Sequence, residues 1–150
     1  MIPVRRNTLP FVVLIGALLG GCAAPAPAEL KFRCVLPKMA LVGVDPDLAA
    51  AFASRLAAGA RLQVLSQTRF KGKASNDVTY IVSLRSAPAA TVFVNIAYNE
   101  PYRTVALTIS GDVRNPEATR IAQESARAFS ALFPGSALAP FSGDQALFGP

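Results

Sequence analysis

Residues 77–110 read DVTYIVSLRSAPAATVFVNIAYNEPYRTVALTIS, and their alternation decides the fold. Over 77–86, Val78, Tyr80, Val82 and Leu84 share one face of a strand, while Thr79, Ser83 and Arg85 share the other. Ala87-Pro88-Ala89 turns the chain. Over 91–99, Val92, Val94, Ile96 and Tyr98 again fall on one face. Asn99-Glu100-Pro101 turns it back, and 102–110 carries Val105, Leu107 and Ile109 inward. Three alternating runs joined by short turns predict an antiparallel meander with one buried and one wet face. The wet face would hold Thr79, Ser83, Arg85, Asn95, Thr104 and Thr108, with Ile81 and Phe93 as its large apolar members.

Helices flank this meander. After it, Asn115-Pro116-Glu117 has the residue types of a helix start, with an Asx cap and proline in the first turn. Ile121, Ser125, Phe129 and Leu132 then form one stripe, and Pro134-Gly135 stops it. Before the meander, Asp45 reads as the N-cap, Pro46 as the first helical residue and Asp47 as a first-turn acid of a helix. Its Leu48, Phe52 and Leu56 recur every four residues, with Gly59 as the expected stop. Lys38–Val44 and Arg61–Ser66 read as further strands, and residues 67–76 as a polar hairpin tip. The expected domain spans 38–133 in the order strand, helix, four strands, helix. One apolar stripe per helix and one apolar sheet face predict an α+β two-layer sandwich. Its antiparallel sheet would have four to five strands, with two helices on one face.

At 150 residues there is room for one such domain. A hydrophobic content of 52% excludes a disordered chain, and two cysteines cannot staple this length. Histidine is absent, which removes the commonest general base and metal ligand.

The first 28 residues carry an address. Arg5 and Arg6 precede an apolar run, Phe11–Leu19, that is too short to span a bilayer. Leu19-Gly20-Gly21-Cys22 resembles the lipobox of bacterial lipoproteins. The resemblance implies a signal peptide over 1–21, cleavage before Cys22, and diacylglycerol on the Cys22 sulfur. Several acyl chains on one cysteine anchor more firmly than a single one. Ala23 follows Cys22 rather than Asp, which by the habit of that family implies the outer membrane, facing the periplasm. Removing residues 1–21 takes away Arg5 and Arg6 and no acid, leaving 129 residues at a formal charge of +4. The competing cut after Ala28 would release a soluble chain at Glu29, at a site disfavoured by its prolines. Residues 22–37 read as lipidated cysteine plus a Pro/Ala-rich tether, and 134–150 as a C-terminal tail carrying Phe141, Leu147 and Phe148. Cys34 reads as a small buried hydrophobe, with an intermolecular disulfide as the sharper alternative.

No nucleophile elbow, phosphate loop, dinucleotide fingerprint or metal-ligand cluster occurs. The densest basic feature is Arg69-Phe70-Lys71-Gly72-Lys73. An ordinary solvated tip explains it. The alternative is contact with a ligand or membrane through Arg69, Lys71 and Lys73, with Phe70 as a wedge.

Over residues 38–133, the element order and apolar pattern are similar to small periplasmic α+β lipoproteins. Examples are the LPS-assembly lipoprotein of the outer-membrane translocon and curli-secretion-type lipoprotein domains. The resemblance includes no shared motif and carries over no functional residue. It implies a binding or assembly part rather than an enzyme. The expectation is a non-catalytic accessory lipoprotein of the cell envelope, with a membrane anchor, an envelope protein partner, no cofactor, no metal and no nucleic acid. Direct binding of anionic lipid, LPS or peptidoglycan through the basic tip is the alternative.

Overall fold

The computed structural model describes residues 29–41, 47–73, 78–86 and 91–141. The signal-type run, Cys22, the Pro/Ala stretch, Asp45, Pro46, Leu147 and Phe148 lie outside the described residues.

The element order is β1 (Glu29–Val35), a 3-10 turn (Lys38–Leu41), α1 (Leu48–Ala60), β2 (Leu62–Lys71), β3 (Val78–Ser86), β4 (Val92–Asn99), β5 (Thr104–Gly111), α2 (Pro116–Leu132) and β6 (Ala139–Pro140). The strands form one open antiparallel sheet in the order β2-β3-β4-β5-β1-β6. The meander lies where its alternation predicts it. Val82, Leu84, Val94, Ile96, Val105, Leu107 and Ile109 point inward and are fully or almost fully buried. Both helices cover that face. Leu48, Phe52 and Leu56 of α1 and Ile121 and Phe129 of α2 join the same apolar cluster. The rings of Phe52 and Phe129 meet edge to face at 5.5 Å, an arrangement that aromatic quadrupoles favour. The expected α+β sandwich is present, with six strands because the C-terminal segment adds β6.

Four boundaries differ from the sequence reading, each for a physical reason. The first strand is 29–35 rather than 38–44. Leu30, Phe32 and Cys34 sit opposite Ile109, Leu107 and Val105, so the expected tether over 22–37 ends in the sheet and the domain starts at Glu29. Pro37 fixes its own φ, and its carbonyl accepts from the Ala40 N–H at 3.0 Å, which coils 38–41 into a 3-10 turn. Helix α1 is capped by Asp47 rather than by the expected Asp45, because the Asp47 side chain is the one that accepts from the Ala50 N–H, at 3.0 Å. It runs through Gly59 and ends at Arg61, which takes the left-handed conformation at φ 57°. Finally, β2 continues to Lys71, so Gln67–Lys71 are strand rather than hairpin tip.

The helices are tied at one end by a polar contact. Asn115 caps α2 by accepting from the Glu117 N–H at 2.9 Å. Arg120 donates to Glu117 within the first two turns and to the Ala60 carbonyl at 2.7 Å, satisfying a C-terminal acceptor of α1. Its hydrogen bond holds the Glu117 carboxyl below the usual carboxylate range. The two side chains are 41% and 31% exposed, so the pair is screened and worth under about 1 kcal/mol. A Glu117→Gln variant is therefore expected to lose that amount at pH 7. The stabilisation needs the ionised carboxylate, whose folded pKa lies below its unfolded one. It is present above the unfolded value and fades as pH falls through the folded one. Urea melts of parent and variant should differ at pH 7 and converge in strong acid.

Candidate functional site

The two sheet edges are treated differently. At one edge, β6 pairs with Phe32 and Arg33 of β1, and the Phe141 N–H donates to the Lys31 carbonyl at 3.1 Å. The Phe141 ring lies under the Arg33 guanidinium, 5.3 Å from its carbon. Phe141 thus folds back on the domain. At the other edge, β2 pairs with β3 alone among the described strands. Only its first residue, Leu62, is buried; the other nine are exposed.

A bulge gives β2 its character. Val64 pairs with Leu84 and Ser66 with Ser83, so Leu65 is the extra residue. The insertion reverses which face each later residue takes. Gln67, Arg69 and Lys71 fall opposite Val82, Tyr80 and Val78, on the helix side of the sheet. Ser66, Thr68 and Phe70 fall opposite Ser83, Ile81 and Thr79, on the open side. The expected ligand-contact residues are therefore divided. Arg69 and Lys71 share one face, Phe70 projects from the other at 53% exposure, and Lys73 follows beyond the strand.

On the helix side, the Arg69 guanidinium sits 5.4 Å above the Tyr80 ring, and Tyr80 stacks on Tyr98 at 6.3 Å. Arg69 and Tyr80, with Gln67 and the α1 cap Asp47, line a shallow concavity of about 180 Å³. Burial raises the Tyr98 hydroxyl above its usual pKa, and the neighbouring Glu100 charge adds to that, so Tyr98 is a neutral phenol at physiological pH.

The open side carries the expected polar residues, but it is wet only in part. Thr104, expected there as exposed, is buried, as are its neighbours Asn99, Ala97 and Ala106, where small side chains and close-set strands leave little surface. The Ser83 hydroxyl donates to Asn95 at 2.7 Å, Arg85 donates to Gln63 at 2.8 and 3.0 Å, and Asn99 donates to Thr79 at 3.0 Å. No helix covers Phe93, Phe70 or Val35, all of which are substantially exposed. The two ends of the sheet carry different charge. The row Gln63, Arg85, Phe93, Ser110 and Glu29 crosses the sheet where β1 begins. The row Phe70, Thr79, Asn99, Thr104 and Val35 crosses it where β1 ends. Arg69, Lys71 and Lys73 belong to the second end. The six residue steps of β1 separate the rows by about 20 Å.

Cys34 is half-buried against the core and is a free thiol. Burial raises its pKa, and a backbone hydrogen bond from Ala137 offsets this in part. It packs as a small hydrophobe and is not poised as a thiolate nucleophile. Among the described residues, no three of the metal-ligating types stand together, and no helix is long and apolar enough to cross a membrane.

The reversal of faces at Leu65 is what sequence reading missed. It has no local signature, because polar residues on both faces of an exposed edge strand look like a loop. No family model matches the chain, and no curated protein matches it.

Proposed function

We propose that this chain is a lipid-anchored, non-catalytic binding subunit of a bacterial envelope complex, held at the outer membrane by Cys22 and facing the periplasm. The observation that carries this reading is Leu19-Gly20-Gly21-Cys22 at the end of a nine-residue apolar run that follows Arg5 and Arg6. The domain behind it suits a binding role, since among the described residues no helix covers one face of its sheet and no strand pairs with the outer edge of β2. Seven peptide units join Cys22 to Glu29, so the first strand begins within about 25 Å of the lipid. The tether joins the sheet at the end where β1 starts, and Arg69–Lys73 stand at the opposite end.

Fractionation and cross-linking of the full chain in its native cells test the proposal, with Cys22→Ala beside the parent. The parent is expected in membranes, joined to a specific envelope protein. The variant is expected in the soluble periplasmic fraction with about tenfold less of that product or lower, because the anchor supplies effective concentration. A variant that fractionates like the parent would overturn the anchor. A parent in membranes without a protein partner would shift the reading to lipid or glycan binding.

A further inference from the structure

We propose that the free edge of β2 receives an extended, acidic segment of a partner polypeptide as an added strand. The inference rests on the reading of the chain as an anchored binding subunit and names the chemistry of its partner.

An edge strand displays a row of unused backbone donors and acceptors. Here the chain closes the β1 edge with its own β6 and leaves β2 uncovered among the described residues. Nine exposed residues of strand suffice for strand addition, in which backbone bonds supply affinity and alternate side chains supply specificity. Residues 61–73 contain Arg61, Arg69, Lys71 and Lys73 and no acid. None of the four forms an ion pair with a described residue. An acidic strand would complement them.

Two other occupants fit less well. A second copy laid antiparallel, with Leu62 opposite Lys71, would bring Arg61 of each strand close to Lys71 and Lys73 of the other. Like charges so placed cost several kcal/mol and find no acid on either strand to offset them. An anionic membrane is flat and meets one side of the sheet. The bulge sends Arg69 and Lys71 to one face and Phe70 to the other, and all three stand at the sheet end away from Glu29, where the tether joins. A strand docked edge-on meets both faces at once. Leu65 and Phe70, at 46% and 53% exposure, give it apolar contacts beside the charges.

The test places the photo-cross-linking residue p-benzoylphenylalanine at Ser66, Thr68 or Phe70 of the full chain in its native cells. Gln123, exposed on α2, serves as the control site. The expected result is adducts from all three β2 sites within one acidic segment of one protein. The attachment point should advance by about two residues per site, because successive sites on one face lie two residues apart. Lys71→Glu with Lys73→Glu should cut the yield about tenfold through like-charge repulsion. Lipid adducts, dimers of this chain, adducts scattered over several segments, or no adduct above the Gln123 control would each overturn the inference. If the parent stays in membranes and joins a partner through another surface, the edge inference alone fails. If the parent is absent from membranes, the anchored reading fails with it.

Discussion

Phe129→Ala is expected to remove about 3–5 kcal/mol of stability. That is a large share of the ~5–15 kcal/mol that holds a domain of this size folded. Phe129 is fully buried, meets Phe52 at 5.5 Å and Phe133 at 5.0 Å, and belongs to the cluster that joins both helices to the sheet. Truncation loses the transfer energy of a phenyl ring and leaves a cavity bounded by two helices. The aromatic neighbours are themselves held by packing, so the space closes only in part. Urea denaturation should show a lower midpoint at an unchanged slope. A loss below about 1 kcal/mol would mean that α2 does not seal the core in this way.

The second large effect concerns backbone shape. Gly111 and Gly135 both have left-handed φ, at 88° and 84°. A Cβ at Gly135 meets nothing within 4 Å, whereas one at Gly111 would stand 2.4 Å from the Thr91 carbonyl oxygen. That same oxygen accepts from the Asp112 N–H at 3.0 Å, so it is fixed by the turn it helps to close. Gly135→Ala should therefore cost only the conformational strain of about 1–2 kcal/mol. Gly111→Ala adds a backbone overlap and should exceed about 3 kcal/mol, among the larger point-mutant losses. Thermal melts of the two variants side by side isolate the overlap, and equal losses would contradict it.

Much of the architecture was legible because burial imposes a period. The meander and α2 follow their apolar repeats, and the Asn115 cap was readable from residue type and place. What misled were segments where polarity and conformation part company. Glu29–Val35 alternates, but its Lys31 and Arg33 and the Pro/Ala stretch before it looked like tether. Lys38–Val44 is apolar enough for a strand, yet Pro37 starts a 3-10 turn at Lys38. Gly59 looked like a helix stop, but the chain reverses at Arg61, whose N–H reaches the Ala57 carbonyl.

The candidate site was legible in composition and not in geometry. The basic character of 69–73 stood out at once. That Arg69 and Lys71 share one face, with Phe70 on the other, depends on the extra residue at Leu65. That these cations stand at the end of the sheet away from Glu29 depends on strand register, which the order of elements does not contain. Those two facts move the proposed partner of this surface from a lipid plane to a polypeptide strand.

The central claim is that a lipid on Cys22 holds this domain at a membrane. The most direct measurement is the mass of the N-terminal peptide of the mature chain, isolated from membranes of its native cells. The account predicts a peptide beginning at Cys22 and heavier than its amino acids by diacylglycerol, with or without a further acyl chain on the amine. An unmodified peptide beginning at Glu29, or one retaining residues 1–21, would contradict it.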